Sequence, residues 1–589
     1  ARILGASAQE LSLADGASQP VRFPLAVGAQ GELALRVEVA GSGKQDALAV
    51  ALPVHDPARI ERSVLSQGAL AGQLVTELAV PDFARAGSAA VEIVTSPSLL
   101  ASLAPGIEAL LEYPYGCAEQ KTSRLIPMVV LGDLITQLGI RGFDPRRHRA
   151  RLEDTLAELE QHQADDGGFG LWVGSEPDPF ITAYVLFGWL VAKDHGYPVS
   201  APRLARGVRY LADAVGSGGP ISGYFSLRAD PFAGYVLARA GADDRGLLER
   251  LASKPAELTR ADEALVAAGL AYRARAGGAV TGLPAVLSDL QAARQGTTDR
   301  ATIRERSAGG SLGQGSDLEA TALAAHALVI AGRVADAEAL VRGVLEGRLA
   351  DGTWGCTYEN LLAVLAVGDV VAAAPPAPGR GEVVASIDGT ERGRLKVASA
   401  TSVGRLVLGA DVLPAPGASA TLRLTAPAGA RFEHLVSLRY LPVASSQGPR
   451  ARGYGIERAV FDAVSGEPVK NPTVGQLLRV RLTVEAPDDR RQVALTDRLP
   501  AGFEAVNARL ATEQQRVGAE ESWQWVSSEV RDERVSFFAH YLDRGTVSAE
   551  YLARVSRSGE FVWPAATVES MYRPGEDART GLDQVTVGR

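Results

Sequence analysis

Residues Tyr113–Gln120 read YPYGCAEQ, and the rest of the chain takes its meaning from them. The stretch holds Cys117, one of only two cysteines, three residues before Gln120. Pro114 and Gly116 precede the cysteine and a helical pattern follows it, the signature of a turn leading into a helix. Residues three apart on a helical turn are neighbours, about 5–6 Å between Cβ atoms. At that range the Cys117 thiol reaches the Gln120 side-chain carbonyl, and loss of ammonia leaves an internal thioester, a stored electrophile. Two other readings stay open at this level. A lone cysteine is commonly a buried small hydrophobe, and a thiol at a helix N-terminus can be an activated nucleophile. A cysteine hydrolase needs a partnered His, and the seven histidines (55, 148, 162, 195, 326, 434 and 540) form no recognisable protease signature.

YPYGCAEQ resembles the thioester motif of the α2-macroglobulin and complement family, Gly-Cys-x-Glu-Gln, and the bacterial branch in particular. Gly116, Cys117, Glu119 and Gln120 fit, with Ala118 at the variable position. The resemblance implies a Cys117–Gln120 cross-link supported by Gly116 and Glu119. It also implies a broad-spectrum protease inhibitor. A target protease cuts a bait region, the domains shift, and a lysine amine of the protease attacks the Gln120 carbonyl while Cys117 leaves as a thiol. Such a trap is stoichiometric and not an enzyme, and it calls for no cofactor and no metal. No bait is evident, so the chain reads as a C-terminal portion with the bait upstream.

A second stretch, Val568–Gly575 (VESMYRPG), resembles the loop that lies against the thioester in bacterial relatives. Met571 and Tyr572, with Tyr113 and Tyr115 beside the motif, are the expected shield, since aromatic rings bury large area and leave an OH at the rim. The alternative for Met571 and Tyr572 is a strand end packing in its own core. Glu119 either orients the loop or is a solvated first-turn carboxylate favoured by the helix dipole. Some relatives use a His to redirect the acyl group to hydroxyls. His326 is the candidate here, against the default of a core or rim histidine.

At 589 residues the chain is too long for one core, and three or four domains are expected. The net charge of −9 is modest and mixed in sign, with no basic footprint for nucleic acid. No run approaches a membrane span. Two cysteines exclude a disulfide-dense scaffold, and Cys356 is expected to be buried and free. None of the three asparagines makes a glycosylation sequon, since Asn471 precedes a proline. This fits a bacterial protein. The resemblance places it in the periplasm, with any export signal or lipid anchor upstream. It also implies an envelope partner such as a peptidoglycan-synthesising penicillin-binding protein, although no residue identifies the surface.

Around the motif the chain changes character twice. Residues 1–56 read as the end of one β-domain and 57–97 as the start of another. Leu33, Leu35, Val37 and Val39 alternate, as do Leu48, Val50, Leu52 and Val54, the period of half-buried strands. Turns are expected at 14–18 and 41–43. From 98 to 371 the chain is Ala- and Leu-rich with about twelve helix candidates. Two breaks, Asp166–Trp172 and Asp351–Gly355, share an Asp-Gly-x-aromatic-Gly-like pattern that sets an aromatic plug between helices, Gly supplying positive φ. Repeated helix pairs imply a closed α/α array. A Pro-rich hinge at 372–381 leads back to strands. Residues 372–445 complete the sandwich begun before the helices, and 446–589 form a last sandwich of about seven strands. The expected fold is therefore multidomain α and β, an α/α toroid inserted in a β-sandwich and flanked by macroglobulin-like β-sandwich domains. The resemblance identifies the interrupted sandwich as CUB-like and the last domain as the receptor-binding type.

The toroid is shared with terpenoid cyclases and prenyltransferase β subunits, so fold does not decide function. The protonating cyclases' Asp-x-Asp-Asp cluster is absent, and Cys356 has no nearby His to complete a zinc set. A non-covalent envelope scaffold with an unused motif is the main alternative to the trap.

Overall fold

The structure is a computed structural model. It describes every residue except 15, 28–30, 55, 57, 59, 133, 139, 141–142, 217–228, 243, 307–314, 374–379, 400–401, 444–447, 507–522 and 589. Most of the Pro-rich hinge, one residue of the 14–18 turn, His55, Asn507 and the boundaries expected near 56 and 445 lie outside the described residues. The chain divides into two compact units, Ala1–Ile60 and Glu61–Arg589.

In the first unit, β1 (Arg2–Ile3) pairs with β2 (Leu25–Ala26), and β3 (Gly31–Gly41) with β4 (Lys44–Val54). The alternating residues meet across the second pair as Leu33–Leu52, Leu35–Val50 and Val37–Leu48. Ser42 and Gly43 both take positive φ, 51° and 75°, the two-residue turn whose twist matches that of the flanking strands.

The second unit opens with β5 (Glu61–Ala71), β6 (Gln73–Ala79) and β7 (Ala90–Ser96). The helices follow: α1 (Ala104–Glu112), α2 (Ala118–Leu131), a one-turn α3 (Leu134–Gln137), α4 (His148–Glu160), α5 (Pro179–Asp194), α6 (Ala201–Gly216) and α7 (Asp230–Arg239). Next come α8 (Leu247–Ala252), α9 (Arg260–Arg275), α10 (Leu283–Ala292), a small hairpin of β8 (Arg294–Gly296) and β9 (Ala301–Ile303), α11 (Asp317–Ile330), α12 (Val334–Glu346) and α13 (Thr357–Ala373). Helices α2, α5, α7, α9, α11 and α13 form a ring, each beside the next, with α13 returning to α2. The other long helices lie outside it.

Sequence explains the two layers. Every residue of α5 from Phe180 to Ala192 is buried, as an all-apolar helix requires. The outer α6 buries only Leu204, Gly207, Leu211 and Val215, one stripe at helical spacing. The two repeated turns act as plugs. Phe169 is fully buried edge-on to Trp189, centroids 5.2 Å apart. Trp354 is buried and donates Nε1–H to the Val344 carbonyl at 2.8 Å. Gly167 (φ 96°) must be glycine, because a Cβ there would sit 2.6 Å from the Arg206 carbonyl oxygen.

After the helices come β10 (Gly381–Ile387), β11 (Thr390–Val397), β12 (Gly404–Gly409), β13 (Ser419–Thr425) and β14 (Arg431–Tyr440). They interleave with the strands before the helices, in the orders β11-β10-β13-β6 and β12-β7-β14-β5. The helical domain is therefore an insertion between strands of one sandwich. Strand β5 was missed in the sequence because Glu61–Ala71 does not alternate. It is held by β14 through a register shift at Val436/Ser437.

The last domain holds β15 (Arg450–Arg452), β16 (Gly455–Asp462), β17 (Leu477–Ala486), β18 (Arg490–Arg498), β19 (Phe503–Val506) and β20 (Ser527–Arg531). These are followed by β21 (Arg534–Leu542), β22 (Gly545–Val555), β23 (Gly559–Trp563), β24 (Thr567–Ser570), β25 (Asp577–Arg579) and β26 (Asp583–Val587). The main sheets run β15-β25-β24-β18-β21-β20 and β16-β17-β22-β19. Twelve strands are found among the described residues, against about seven expected. The stretch Phe561–Ser570 is cut at Pro564, which cannot donate to a ladder, so that β23 and β24 are separate strands. Edge strands of three residues are also too short to show a period. Both faces of β18 are buried: Val493 and Leu495 enter the sandwich core, while Ala494 joins the core of the helical domain. Among the described residues no helix is long and apolar enough to cross a membrane.

Candidate functional site

Helix α1 stops at Glu112, and Tyr113 turns extended (φ −60°, ψ 124°), as the residue before a proline must. The chain then re-enters a helix at Cys117, the N-cap of α2, with φ −70° and ψ 167°. Here cysteine and glutamine make a reciprocal capping box. The Cys117 side chain faces the Gln120 backbone N–H, and the Gln120 Oε1 accepts from the Cys117 N–H at 3.2 Å. This is the geometry that Ser and Glu usually make at a helix start, with sulfur in place of oxygen. It sets thiol and carboxamide on one helical turn, each against the other residue's backbone N–H. Cys117 is fully buried and Gln120 is 2% exposed.

The last domain covers the pair. Gln120 Nε2 donates to Met571 Sδ at 3.6 Å. Tyr572 donates its hydroxyl proton to Glu119 Oε2 at 2.6 Å. Glu119 is fully buried and also accepts from Ser123 at 2.6 Å and from Thr357 of α13 at 2.9 Å. It is therefore no solvated carboxylate; it ties α2 to α13 and to the last domain. Met571 and Tyr572 pack with the helical domain's core residues and not with the sandwich's own. Tyr115 is buried, stacks edge-on to Phe538 at 5.2 Å and bonds Thr496 at 3.1 Å; Tyr113 is half-buried and edge-on to Tyr115 at 5.4 Å. Gly116 has an ordinary φ, and a Cβ there would meet only Lys121 Cε at 3.5 Å, so no steric demand for glycine is found at that position.

Burial sets the electrostatics. It pushes the Cys117 thiol up, helped by the nearby Glu119 charge and opposed by the Gln120 and Glu119 N–H groups and the Tyr572 hydroxyl. Burial likewise raises Glu119 against the hydrogen bonds of Ser123, Tyr572 and Thr357. The sulfur is thus held as a thiol in a dry pocket. Cys356 is also buried and free, and burial raises its thiol well above the usual range.

His326 does not approach the pair. It bonds the Tyr235 hydroxyl at 2.9 Å and pairs with Asp369. Asp369 lies twelve residues along α13 from Thr357, about 18 Å at 1.5 Å per residue. His326 is therefore a core histidine at the other end of the ring. Several contributors escaped the sequence reading. Trp172 stacks on Phe538, centroids 4.3 Å apart, and Arg534 donates Nη2–H to the Pro114 carbonyl at 2.7 Å. Ser123 was legible, being four residues from Glu119 on α2; Thr357, Phe538 and Arg534 are remote in sequence and carry no local signal.

Residues 453–575 match the bacterial alpha-2-macroglobulin MG10 domain model. The chain is 26% identical to alpha-2-macroglobulin of Xylella fastidiosa (strain Temecula1) over 97% of its length and 35% of that protein's. It is 26% identical to the Escherichia coli K12 alpha-2-macroglobulin over 83% of its length and 29% of that protein's. It thus spans about a third of the length of these relatives. In fold it matches the Escherichia coli alpha-2-macroglobulin portion from domain MG7 to the C-terminus, with TM-score 0.75, 21% identity and coverage of 96% of this chain and 88% of that one. A Salmonella alpha-2-macroglobulin reacted with methylamine matches with TM-score 0.75, 24% identity and coverage of 95% and 36%. The last domain thus matches the MG10 domain of bacterial alpha-2-macroglobulins, and the chain as a whole is similar to the C-terminal portion of those proteins.

Proposed function

We propose that the chain is the warhead-bearing part of a protease trap. Cys117 and Gln120 close an internal thioester, and Met571, Tyr572, Tyr113 and Tyr115 keep water from it. Cleavage of a bait outside this chain draws the last domain away. A lysine amine of the protease then attacks the acyl carbon and Cys117 leaves as a thiol, tethering the protease. The protein acts once per molecule, as an inhibitor in the periplasm. The observation that carries this reading is the buried reciprocal Cys117–Gln120 pair under side chains from another domain. Excluding water suppresses side reactions of a reactive acyl group, and a shield on a separate module is removed by moving that module. On the same reading the interrupted sandwich is the CUB-like domain.

The test is methylamine. Incubation should label position 120 and release one titratable thiol, and Cys117→Ala should show neither. A folded wild-type chain that takes up no amine would favour the scaffold alternative.

A further inference from the structure

Tyr572 does more than cover the pair. Its hydroxyl donates to the Glu119 carboxylate at 2.6 Å and lies near enough to the Cys117 sulfur to oppose the rise that burial imposes on the thiol. The carboxamide is polarised on its other side, because Gln120 Oε1 takes the Cys117 N–H, an interaction that strengthens as the oxygen gains charge. A thiol held protonated by burial is a poor nucleophile, since the thiolate is the attacking form. Some group must therefore take its proton as it attacks.

We propose that Tyr572 and Glu119 form the proton relay that makes the Cys117–Gln120 cross-link, so that the last domain builds the bond as well as hiding it. This rests on the reading that the thioester forms. The Sγ–Cδ bond forms and the Cδ–Nε2 bond breaks. The thiol proton passes to the Tyr572 oxygen as Tyr572 passes its own to the Glu119 carboxylate. That proton returns by the same route to the departing nitrogen, which leaves as ammonia. Ser123 and Thr357 hold the carboxylate in place, a positioning role. Because Tyr572 sits on the last domain, the cross-link is made only with that domain seated. Once the domain moves off, the relay goes with it and the bond does not re-form.

The test follows residue 120 by mass in the whole chain, made by cell-free synthesis and sampled over time. Three species are distinguishable: the intact carboxamide, the cross-link, and the glutamate left by hydrolysis of the cross-link. Wild type should pass to the cross-link. Tyr572→Phe, which keeps the ring, and Glu119→Gln should do so at least tenfold more slowly, with the carboxamide retained. Thr357→Val, which removes one of the hydrogen bonds that position the Glu119 carboxylate but leaves both relay groups, should slow the step less than either. The wild-type rate should rise with pH as Glu119 ionises, a step absent in Glu119→Gln. The titratable groups facing Glu119 are Cys117, Tyr113, Tyr184, Cys356 and Tyr572, and none of them is replaced in that variant. Cross-linking of both relay variants at the wild-type rate, or glutamate at position 120 in them, would overturn the relay and leave Tyr572 as a shield alone. Retention of the carboxamide in wild type would instead sink the thioester reading itself.

Discussion

The Tyr572 hydroxyl donates to Glu119 Oε2 at 2.6 Å across 453 residues of chain. A buried carboxylate of the helical domain thereby takes its third partner from a different domain. The site is complete only when the two are docked.

Removing the Tyr572 side chain opens that seam. Tyr572→Ala deletes a buried ring and its hydrogen bond, a truncation worth about 3–5 kcal/mol in a core. Part of that loss falls on the docked state alone. In the fraction of molecules whose cross-link has closed, methylamine uptake should accelerate at least tenfold, and an unchanged rate there would remove Tyr572 from the shield.

Arg534 tests the same interface without touching the pair. Its guanidinium donates to the Pro114 carbonyl, three residues before Cys117. Hydrogen bonds to charged groups contribute about 1.5–3 kcal/mol, and 1.4 kcal/mol is about tenfold in an equilibrium. Arg534→Ala should therefore raise amine uptake by about tenfold, measured under the conditions used for wild type, with little change in the melting of the isolated helical transition.

The motif itself was legible because its chemistry is local. Three-residue spacing into a helix start put Cys117 against Gln120 without any long-range contact. The toroid was legible for a similar reason: all-apolar helices such as α5 and striped ones such as α6 declare inner and outer layers. What the sequence hid were contacts set by docking. Phe538 follows Phe537 on a strand buried on both faces, and nothing near it in the chain points to Trp172 or Tyr115. Strand β5 has no period of its own and exists because β14 pairs with it. Nothing near His326 in the chain points to its partners, Tyr235 and Asp369.

The last domain's own stability should hinge on a buried ion pair. Arg458 donates to Asp497 at 2.7 Å, with side chains 3% and 0% exposed, and Tyr551 adds a hydrogen bond to Asp497 at 2.9 Å. Removing one partner of such a pair costs about 3–5 kcal/mol, because the other charge loses its buried counter-ion, and the lower end applies here because Arg458 keeps Asp583 at 2.7 Å. Asp497→Ala should lower the denaturation midpoint of this domain accordingly; a loss under 1 kcal/mol, about the worth of an exposed pair, would contradict the assignment.

Stability should also carry a pH signature from α11. Burial pushes Glu319 up to about 8, against the hydrogen bonds from Gly315 and Tyr358. A carboxyl whose folded pKa is raised favours folding in its protonated form. Its contribution is full below the unfolded value, about 4.5, and is lost as pH rises through about 8. His162 and His540, held neutral by burial down to about 4, act oppositely below pH about 6.5. The comparison is therefore wild type against Glu319→Gln by thermal melting. Wild type should lose stability from pH 5 to 8 relative to the variant, and parallel curves would refute the assignment.

The most direct measurement is the intact mass of the folded, untreated chain together with its thiol count under rapid denaturation. A closed Cys117–Gln120 bond predicts a mass one ammonia below that of the sequence and a single titratable thiol, Cys356. The full sequence mass with two titratable thiols would show the pair standing open and would contradict the account.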